Sequence, residues 1–581
     1  MKKVKEILYT LFSNFDVFII FELVYHFFSF ILTFCLTSLL DFSLKSIHLE
    51  YITHENIVTL FTQPFSIFAI ILIILAICFY LYIQFAALTI YFDARDKRIK
   101  VSWFFKQTIR KCKRLLKLQN IGVIFLILGC SIFLYLCYSP QTFRIIIPEF
   151  IMEFMLENKV LFILYLGFLF FLFSLCIIFL PILYDFFIKE KSLIESNRAR
   201  QKISILQFFK RLFQIIFYNV IFWAFLYIAY LVVTIILILF FKYIIHNQNH
   251  FWVSFQYGQS IFRFLNPILL ISINLFLIYN LSISNKKEIP VRKRNFKIRS
   301  IGKWGVIIIV LIGFIGFSDS RIYNHIDYEK IQIISHRGGG IFAPENTIAG
   351  IQEAIDNGSD YAEIDVQVTK DGVLVLSHDS SLKRTARINQ EISDLTYEEL
   401  SKIDVGMRYK PEFRGEKIPT LEEVVSFSKN KIKLVIELKE SQNNRDLVKK
   451  TIQTIEKYNR EDDCVIASLQ FSIIKEAKKI NPHIKTAYIV AVAYGDLLSI
   501  KDSVDIYAFE PSYIDEQVLH NLKSMHKDIF VWTLNREKNI KQMLSLPIDG
   551  IITDNPYWTR YIMDHYNKDY VIQWLLNLFY P

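Results

Sequence analysis

Apolar residues run in blocks of membrane-spanning length through residues 1–320, then give way near Tyr328 to short runs set among charges, glycines and prolines. About 20 consecutive apolar residues cross the roughly 30 Å of bilayer hydrocarbon. On that measure the chain predicts seven helices, near 17–40, 65–92, 119–138, 160–184, 213–241, 264–283 and 302–318, the last at the lower edge of spanning length. Beyond Tyr328 the period shortens to that of half-buried strands. Strands are predicted at 331–335, 361–367, 432–438, 464–468, 485–490, 504–509, 528–534 and 549–553, with helical patterns at 346–357, 421–429, 445–458, 471–480 and 535–545 between them. Asp371-Gly372 ahead of the alternating run 373–377 marks a hairpin arm. This alternation predicts an α-helical polytopic membrane domain (1–320) followed by an α/β domain, a (β/α)8 TIM barrel (328–560), and an aromatic tail (561–581). A doubly wound sheet is the alternative, but it would not normally put polar functional residues at the ends of so many strands.

Charge then orients the first half. Lys and Arg number 3, 10, 7 and 8 in residues 1–16, 93–118, 186–211 and 284–303, against 1, 2 and 2 in the intervening 41–64, 139–159 and 242–263. The positive-inside rule makes the basic set cytoplasmic. If 302–318 spans, flanked by Trp304 and followed by Ser318-Asp319-Ser320, the C-terminal domain emerges outside; if that segment lies in the interface, the domain stays inside. The net charge of +11 sits mostly in these loops, where topology and anionic lipid account for it, so no nucleic-acid partner is implied. The basic stretch 95–117 reads as a plain topogenic loop, with an amphipathic helix as the alternative. Glu22 and His26 share one helix face inside the first span, either as a functional pair or as a partly solvated acid near the boundary. Six of the seven cysteines (Cys35, Cys78, Cys112, Cys130, Cys137, Cys176) fall in or beside the apolar segments, leaving Cys464 alone in the second half, so no disulfide framework exists there. In the tail, the cluster Trp574, Leu575, Leu576, Leu578 and Phe579 is too short to span; it would rest on lipid or pack on the barrel.

In such a barrel reacting groups gather at the C-terminal strand ends. Those ends read His336-Arg337, Glu363 and Asp365, His378 on the hairpin arm, Glu437 and Lys439, Trp532, and Asp554. Glu363 and Asp365 are two apart in a strand and so share a face. Three carboxylates at one mouth need a cation or a proton between them. An oxygen-only set suits a hard divalent cation, calcium or magnesium, rather than zinc. Two histidines, each after an apolar strand and before a polar turn, suit an acid–base pair. Splitting a phosphodiester in line needs a base on the nucleophile and an acid on the leaving oxygen, with positive charge such as Arg337 and Lys439 on the other oxygens. The run Gly338-Gly339-Gly340 lets backbone approach a phosphate closely, a weak signal by itself.

The string HRGGGIFAPENTIAGIQEAIDNGSDYAEIDVQVTKDGVLVLSHD (336–379) resembles the signature of glycerophosphodiester phosphodiesterases, and IPTLEEV (418–424), IELK (436–439), WTLN (532–535) and DGIITD (549–554) agree with it. The resemblance covers 331–560, and the multi-span region is similar to the membrane domain fused to this enzyme in some Gram-positive bacteria. It implies that His336 and His378 form the acid–base pair and that Glu363, Asp365 and Glu437 hold the divalent ion, with Glu345 near it or on substrate. Arg337 and Lys439 would bind phosphate and Trp532 would pack on the glycerol or the leaving group. A glycerol hydroxyl would attack phosphorus first, and water would open the resulting cyclic phosphate to glycerol 3-phosphate. Asn346 and Thr347 would cap the next helix, and Asp554 would close the barrel as a structural residue or as a support behind the residues that do chemistry. The expected protein is a multi-pass cell-membrane enzyme acting on glycerophosphodiesters outside, with membrane lipid as its second partner. The alternatives are a phosphodiesterase acting on intact or lyso-phospholipid, and a transporter or sensor with a non-catalytic barrel.

Overall fold

In a computed structural model of the chain the described residues are, with short breaks, 13–128, 151–196, 204–243, 331–439 and 446–565. They fall into two compact units. The predicted spans at 264–283 and 302–318, much of 119–138 and the apolar cluster of the tail lie outside the described residues.

The first unit is helical. Helices Phe15–Ser46, Pro64–Asp93, Lys159–Phe187 and Ile205–Tyr243 cover four predicted spans. The first two are long and apolar enough to cross a bilayer. Aromatic contacts join them: the Tyr25 and Tyr80 rings stack 4.0 Å apart. Glu22 is not partly solvated but buried, its carboxylate 3.6 Å from His26 Nε2. The basic loop departs from its simpler reading, because Val101–Cys112 is a helix. Val101, Phe104, Phe105, Thr108 and Cys112 recur at helical spacing, and Phe104 is buried edge-on to Phe21 and Tyr91. Lys111 pairs with Glu190 at 2.6 Å, while the Arg114 guanidinium takes the Phe186, Glu190 and Lys191 carbonyls.

The second unit holds residues 43–66 and 147–154 together with 323 onward. Its strands are β1 (Tyr51–Ile52), β2 (Gln332–Ser335), β3 (Tyr361–Val368), β4 (Leu374–Leu376), β5 (Lys433–Leu438), β6 (Cys464–Ser468), β7 (Lys485–Val490), β8 (Tyr494–Gly495), β9 (Ile506–Phe509), β10 (Asp528–Val531) and β11 (Gly550–Thr553). Eight of them run parallel in the order β2-β11-β10-β9-β7-β6-β5-β3, and β2 pairs β3 to close the barrel. β4 returns antiparallel on β3, as the Asp-Gly turn predicts. Alternation sorts the side chains. Val435, Val465, Ala467, Ala487, Ala508 and Phe530 fill the lumen, while Ile364, Val366, Leu434, Ile436 and Ile466 face the helices.

Helix starts follow from capping chemistry. In IPTLEEV, Thr420 accepts from Glu423 N while the Glu423 carboxylate accepts from Thr420 N, a capping box that opens helix Leu421–Phe427. Thr347 caps helix Ile348–Asp356 through a bond from Gly350 N, as expected. The glycine run has a packing cause: a Cβ on Gly340 would lie 2.2 Å from the Asp554 carbonyl oxygen, at φ +56°. Helix Pro556–Asp564, with Thr559 and Ile562 buried, extends the barrel's regular structure past the predicted start of the tail at 561.

Candidate active site

Every predicted site residue at a strand end lies at the same C-terminal rim. β3 contributes Glu363 and Asp365, and the β3–β5 register sets Asp365 directly opposite Glu437. One oxygen from each of these three buried carboxylates lies within 4.8 Å of the others. Backbone and side-chain donors hold them in place. Arg337 N donates to Glu363 Oε2 at 2.7 Å. Asn346 Nδ2 donates to Asp365 Oδ2 at 2.8 Å, and Asp365 N donates back to Asn346 Oδ1 at 2.9 Å. Asn346 therefore clamps an acid rather than capping the helix, and it does so at φ 56°, a backbone region that asparagine tolerates.

The charges explain the protonation of the set. Burial pushes Glu363 up to about 8, with the Asp365 and Glu437 charges adding to it and His336 opposing. Asp365 is held well below the usual carboxylate range: burial works against this, but Lys439, His378 and Arg337 outweigh it. Burial also raises Glu437, against the attraction of Lys439. Lys439 Nζ sits 3.0 Å from Asp365 Oδ1 and 2.6 Å from Glu437 Oε1, one ammonium among three acids. Asp365 Oδ1 is buried and makes no hydrogen bond. A convergent, oxygen-only set of three carboxylates fits a hard divalent cation. Arg337 Nη1 meanwhile reaches Glu345 at 3.3 Å.

The histidines are built alike. His336 Nδ1 lies 2.6 Å from Asp554 Oδ1, and His378 Nδ1 lies 2.8 Å from Asp379 Oδ1. Each carboxylate fixes the tautomer with Nδ1–H toward itself, leaving Nε2 for chemistry. Of the two readings of Asp554, the geometry agrees with the support behind the reacting groups, because it is the partner of the first histidine. Asn535, from the WTLN string, holds it by donating to Oδ2 at 2.6 Å and accepting Asp554 N at 2.9 Å. The rings differ in charge. Burial lowers His336, but the Asp554 hydrogen bond and the Asp554 and Glu363 charges leave it above the ordinary imidazole value. Burial lowers His378, helped by Lys439 and Arg337, and the Asp365 and Asp379 charges do not restore it.

Two supporting residues are not among those the sequence singles out. Gln367, two residues beyond Asp365 on the same strand face, donates Nε2 to the carbonyls of Ser377, His378 and Asp379 at 2.9, 3.1 and 2.9 Å, fastening the His378 arm to β3. Arg384 donates Nε to Asp379 Oδ2 at 2.7 Å and forks onto both Glu345 oxygens at 2.5 and 2.7 Å. The continuing period-two pattern E-x-D-x-Q would have flagged Gln367. Arg384 comes from a short helix, Lys383–Ala386, whose neighbours only the fold reveals. Replacing Arg384 by alanine is expected to lower turnover about ten- to a hundredfold by freeing the His378–Asp379 pair from its setting. Lysine should recover only part of the loss, because it cannot fork; an Arg384→Ala enzyme at full turnover would rule out this positioning role. Trp532, at the end of β10, is half-buried and donates Nε1 to the Ala508 carbonyl at 2.8 Å, which fixes its ring at the rim.

Two carboxylate-held imidazoles beside an acidic triad at a barrel mouth are the groups that acid–base hydrolysis calls for. Residues 336–557 match the glycerophosphoryl diester phosphodiesterase family, and residues 4–315 match the membrane domain of glycerophosphoryl diester phosphodiesterase. The chain is similar to a glycerophosphodiester phosphodiesterase of Caldanaerobacter subterraneus, 34% identical over 231 residues that cover 39% of this chain and 95% of the relative. It is also similar to human lysophospholipase D, 30% identical over 275 residues covering 40% and 86%. Among solved structures, an Oleispira antarctica phosphodiesterase in complex with the product sn-glycerol-3-phosphate matches 40% of this chain and 96% of that one, at 26% identity and a TM-score of 0.38. The chain belongs to the glycerophosphodiester phosphodiesterase family, with that family's membrane domain at its N-terminal end.

Proposed function

We propose that this enzyme hydrolyses glycerophosphodiesters to glycerol 3-phosphate and an alcohol at the outer face of the cell membrane, with a divalent cation held by Glu363, Asp365 and Glu437. The observation that carries this reading is the pairing of each histidine Nδ1 with its own carboxylate beside the buried triad. His378, whose pKa is lowered, is the base that takes the proton from the attacking hydroxyl. His336, whose pKa is raised, is the acid that gives a proton to the departing alcohol oxygen. Arg337 and Lys439 steady the phosphoryl oxygens, Glu345 holds Arg337 in place, and Trp532 packs on the organic part of the substrate. Calcium or magnesium, when bound, would supply charge neutralisation at phosphorus.

Outer-face placement is supported by the charge alternation of the loops. It is also supported by residues 43–66, which belong to the charge-poor set and to the same compact unit as the barrel. A segment and the barrel it bonds share one side of a membrane, so an even number of crossings between them, and with it a spanning 302–318, is part of this reading. The multi-pass arrangement of the seven apolar segments belongs to it as well.

Intact cells expressing the protein should release glycerol 3-phosphate from added glycerophosphodiesters. That release should be lost with chelator and in the His336→Ala and Glu363→Ala variants. Release confined to broken cells would sink the outward placement, and no release in either preparation would sink the substrate. The similarity to a lysophospholipase D favours one second reading, cleavage of lysophospholipid at the same phosphorus. A lysophospholipid arm in the same assay separates the two, since this cleavage yields a lysophosphatidic acid rather than glycerol 3-phosphate.

A further inference from the structure

Among the described connections of the barrel, the one between β7 and β9 differs from its neighbours. The others each contain an α-helix of seven residues or more, such as Phe471–Ile480 before β7 and Glu516–Ser524 after β9. Here the chain has only the two-residue β8 and the 3-10 turn Leu497–Ser503. The outer faces of β7 and β9, with Tyr488, Val490, Tyr507 and Phe509, are nevertheless buried. What covers them includes a segment from the other end of the sequence, the loop after the first helix of the N-terminal domain.

Three kinds of bonding hold that loop. β1 pairs antiparallel with β8, with Tyr51 opposite Gly495 and Ile52 opposite Tyr494. Apolar burial follows: Tyr51 packs into the cluster of Tyr488, Tyr507 and Leu497, and Ile52 and Leu60 are buried. The third is polar and local to Glu55. The Tyr488 hydroxyl, buried by the surrounding chain, donates to Glu55 Oε2 at 3.0 Å and lies 3.2 Å from Thr53 Oγ1. The other Glu55 oxygen accepts from Phe471 N at 3.0 Å. That amide opens helix Phe471–Ile480, whose N-cap residue Gln470 makes no side-chain cap bond, so Glu55 provides both the missing acceptor and a negative charge at the positive helix end. The loop is itself braced: Asn56 accepts from Thr53 N at 2.8 Å and donates to the Tyr51 carbonyl at 2.9 Å.

We propose that residues 51–63 are a working part of the catalytic barrel, a strap that takes the outer-layer place left empty between β7 and β9, so that the barrel is complete only with this loop docked. The membrane domain then contributes to the fold of the enzyme and is more than an anchor, for which a single span would do. The partner of this surface is the chain's own first loop, and its recognition chemistry is a short β pairing, a carboxylate cap and an apolar plug.

The test uses the full chain in its membrane. Directly opposed residues of an antiparallel pair have Cα atoms about 4.5–5.5 Å apart, within the range a disulfide spans. Ile52→Cys with Tyr494→Cys should therefore crosslink under mild oxidation, giving a looped product of faster mobility on a non-reducing gel, while neither single variant does so. Ile52→Asp, which puts a charge where an isoleucine is buried, should lower the melting temperature of the barrel by roughly 5 °C or more. So that a failure of Ile52→Asp to fold leaves the proposal testable, Glu55→Gln and Tyr488→Phe serve as milder probes: each should lower the midpoint, and the double variant should be no worse than the more damaging single one. Absence of the crosslink overturns the proposal, as does a midpoint unmoved by all of these substitutions, or strict additivity of the mild pair. Crosslinking needs no turnover, so its outcome is separate from that of the proposed reaction.

Discussion

Glu363→Gln is expected to lower turnover about a thousandfold and, in the same protein, to make the ion-free fold more resistant to alkaline conditions. On the proposed reading the first effect follows from losing one of the three oxygens that would hold the cation; Lewis-acid stabilisation of a phosphoryl transition state is worth several kcal/mol, and about 4 kcal/mol is a factor of 10³. The second follows from burial. Glu363 is pushed up to about 8 in the folded protein from an ordinary value of 4.5. Between those two pH values the folded state holds a proton that the unfolded state has released, so stability falls as pH rises through this window and levels off above about 8. Glutamine carries no such proton. In the presence of chelator, the wild type should therefore lose more unfolding free energy than the variant between pH 5 and pH 9, on the order of a few kcal/mol, and its melting temperature should fall further. A divalent cation at about a hundred times its dissociation constant should restore about 2.7 kcal/mol to the wild type and nothing comparable to the variant. Turnover within tenfold of wild type for Glu363→Gln would remove the triad from the catalytic machinery, whatever the stability result.

The histidines carry the second large effect. Alanine at His336 or His378 should each cost about 10²–10⁴ in kcat, the range of positioned general acid–base catalysis. Their signatures differ. A neutral base is needed at His378, so activity should fall below a limb lying under the ordinary imidazole pKa. A protonated acid is needed at His336, so activity should also fall above a limb lying over that value. Asp554→Asn removes an anion that raises the His336 pKa, and the alkaline limb should move to lower pH while the acid limb stays. A diester with a good leaving group, such as a nitrophenyl ester, needs little protonation of its leaving oxygen. His336→Ala should therefore lose far less on that substrate than on glycerophosphocholine, whereas His378→Ala should lose equally on both. The reverse pattern would exchange the two roles.

How much of this was written in the sequence depends on how local each signal is. Strand positions were legible because β-branched runs bounded by turns are local. Cys464–Ser468 and Lys485–Val490 fall where the pattern puts them, and the Asp-Gly turn gives β4 its antiparallel return. The acidic triad was legible because strand alternation sends Glu363 and Asp365 to one face, and barrel topology then brings Glu437 beside them. Relations that cross the chain were not. That His336 and Asp554, 218 residues apart, share a bond needed the ring of strands to close. Asn346 reads as a helix cap from its place before Thr347, but its left-handed backbone turns it onto Asp365 instead. Arg384 sits in one turn of helix with no motif, and its two acids lie 5 and 39 residues away. The first loop reads as a charge-poor connector, since nothing within residues 43–66 names a partner more than four hundred residues downstream.

That strap also sets an order of events during synthesis. Glu55 leaves the ribosome 433 residues ahead of Tyr488. At roughly 5–20 residues per second, its helical hairpin has about 20–90 s to enter the bilayer before the strand it will cover exists. On the proposed reading, the waiting loop is a ready template onto which β7, β8 and helix Phe471–Ile480 can settle as they emerge, so that insertion of the first two helices would precede, and prepare, closure of the enzyme.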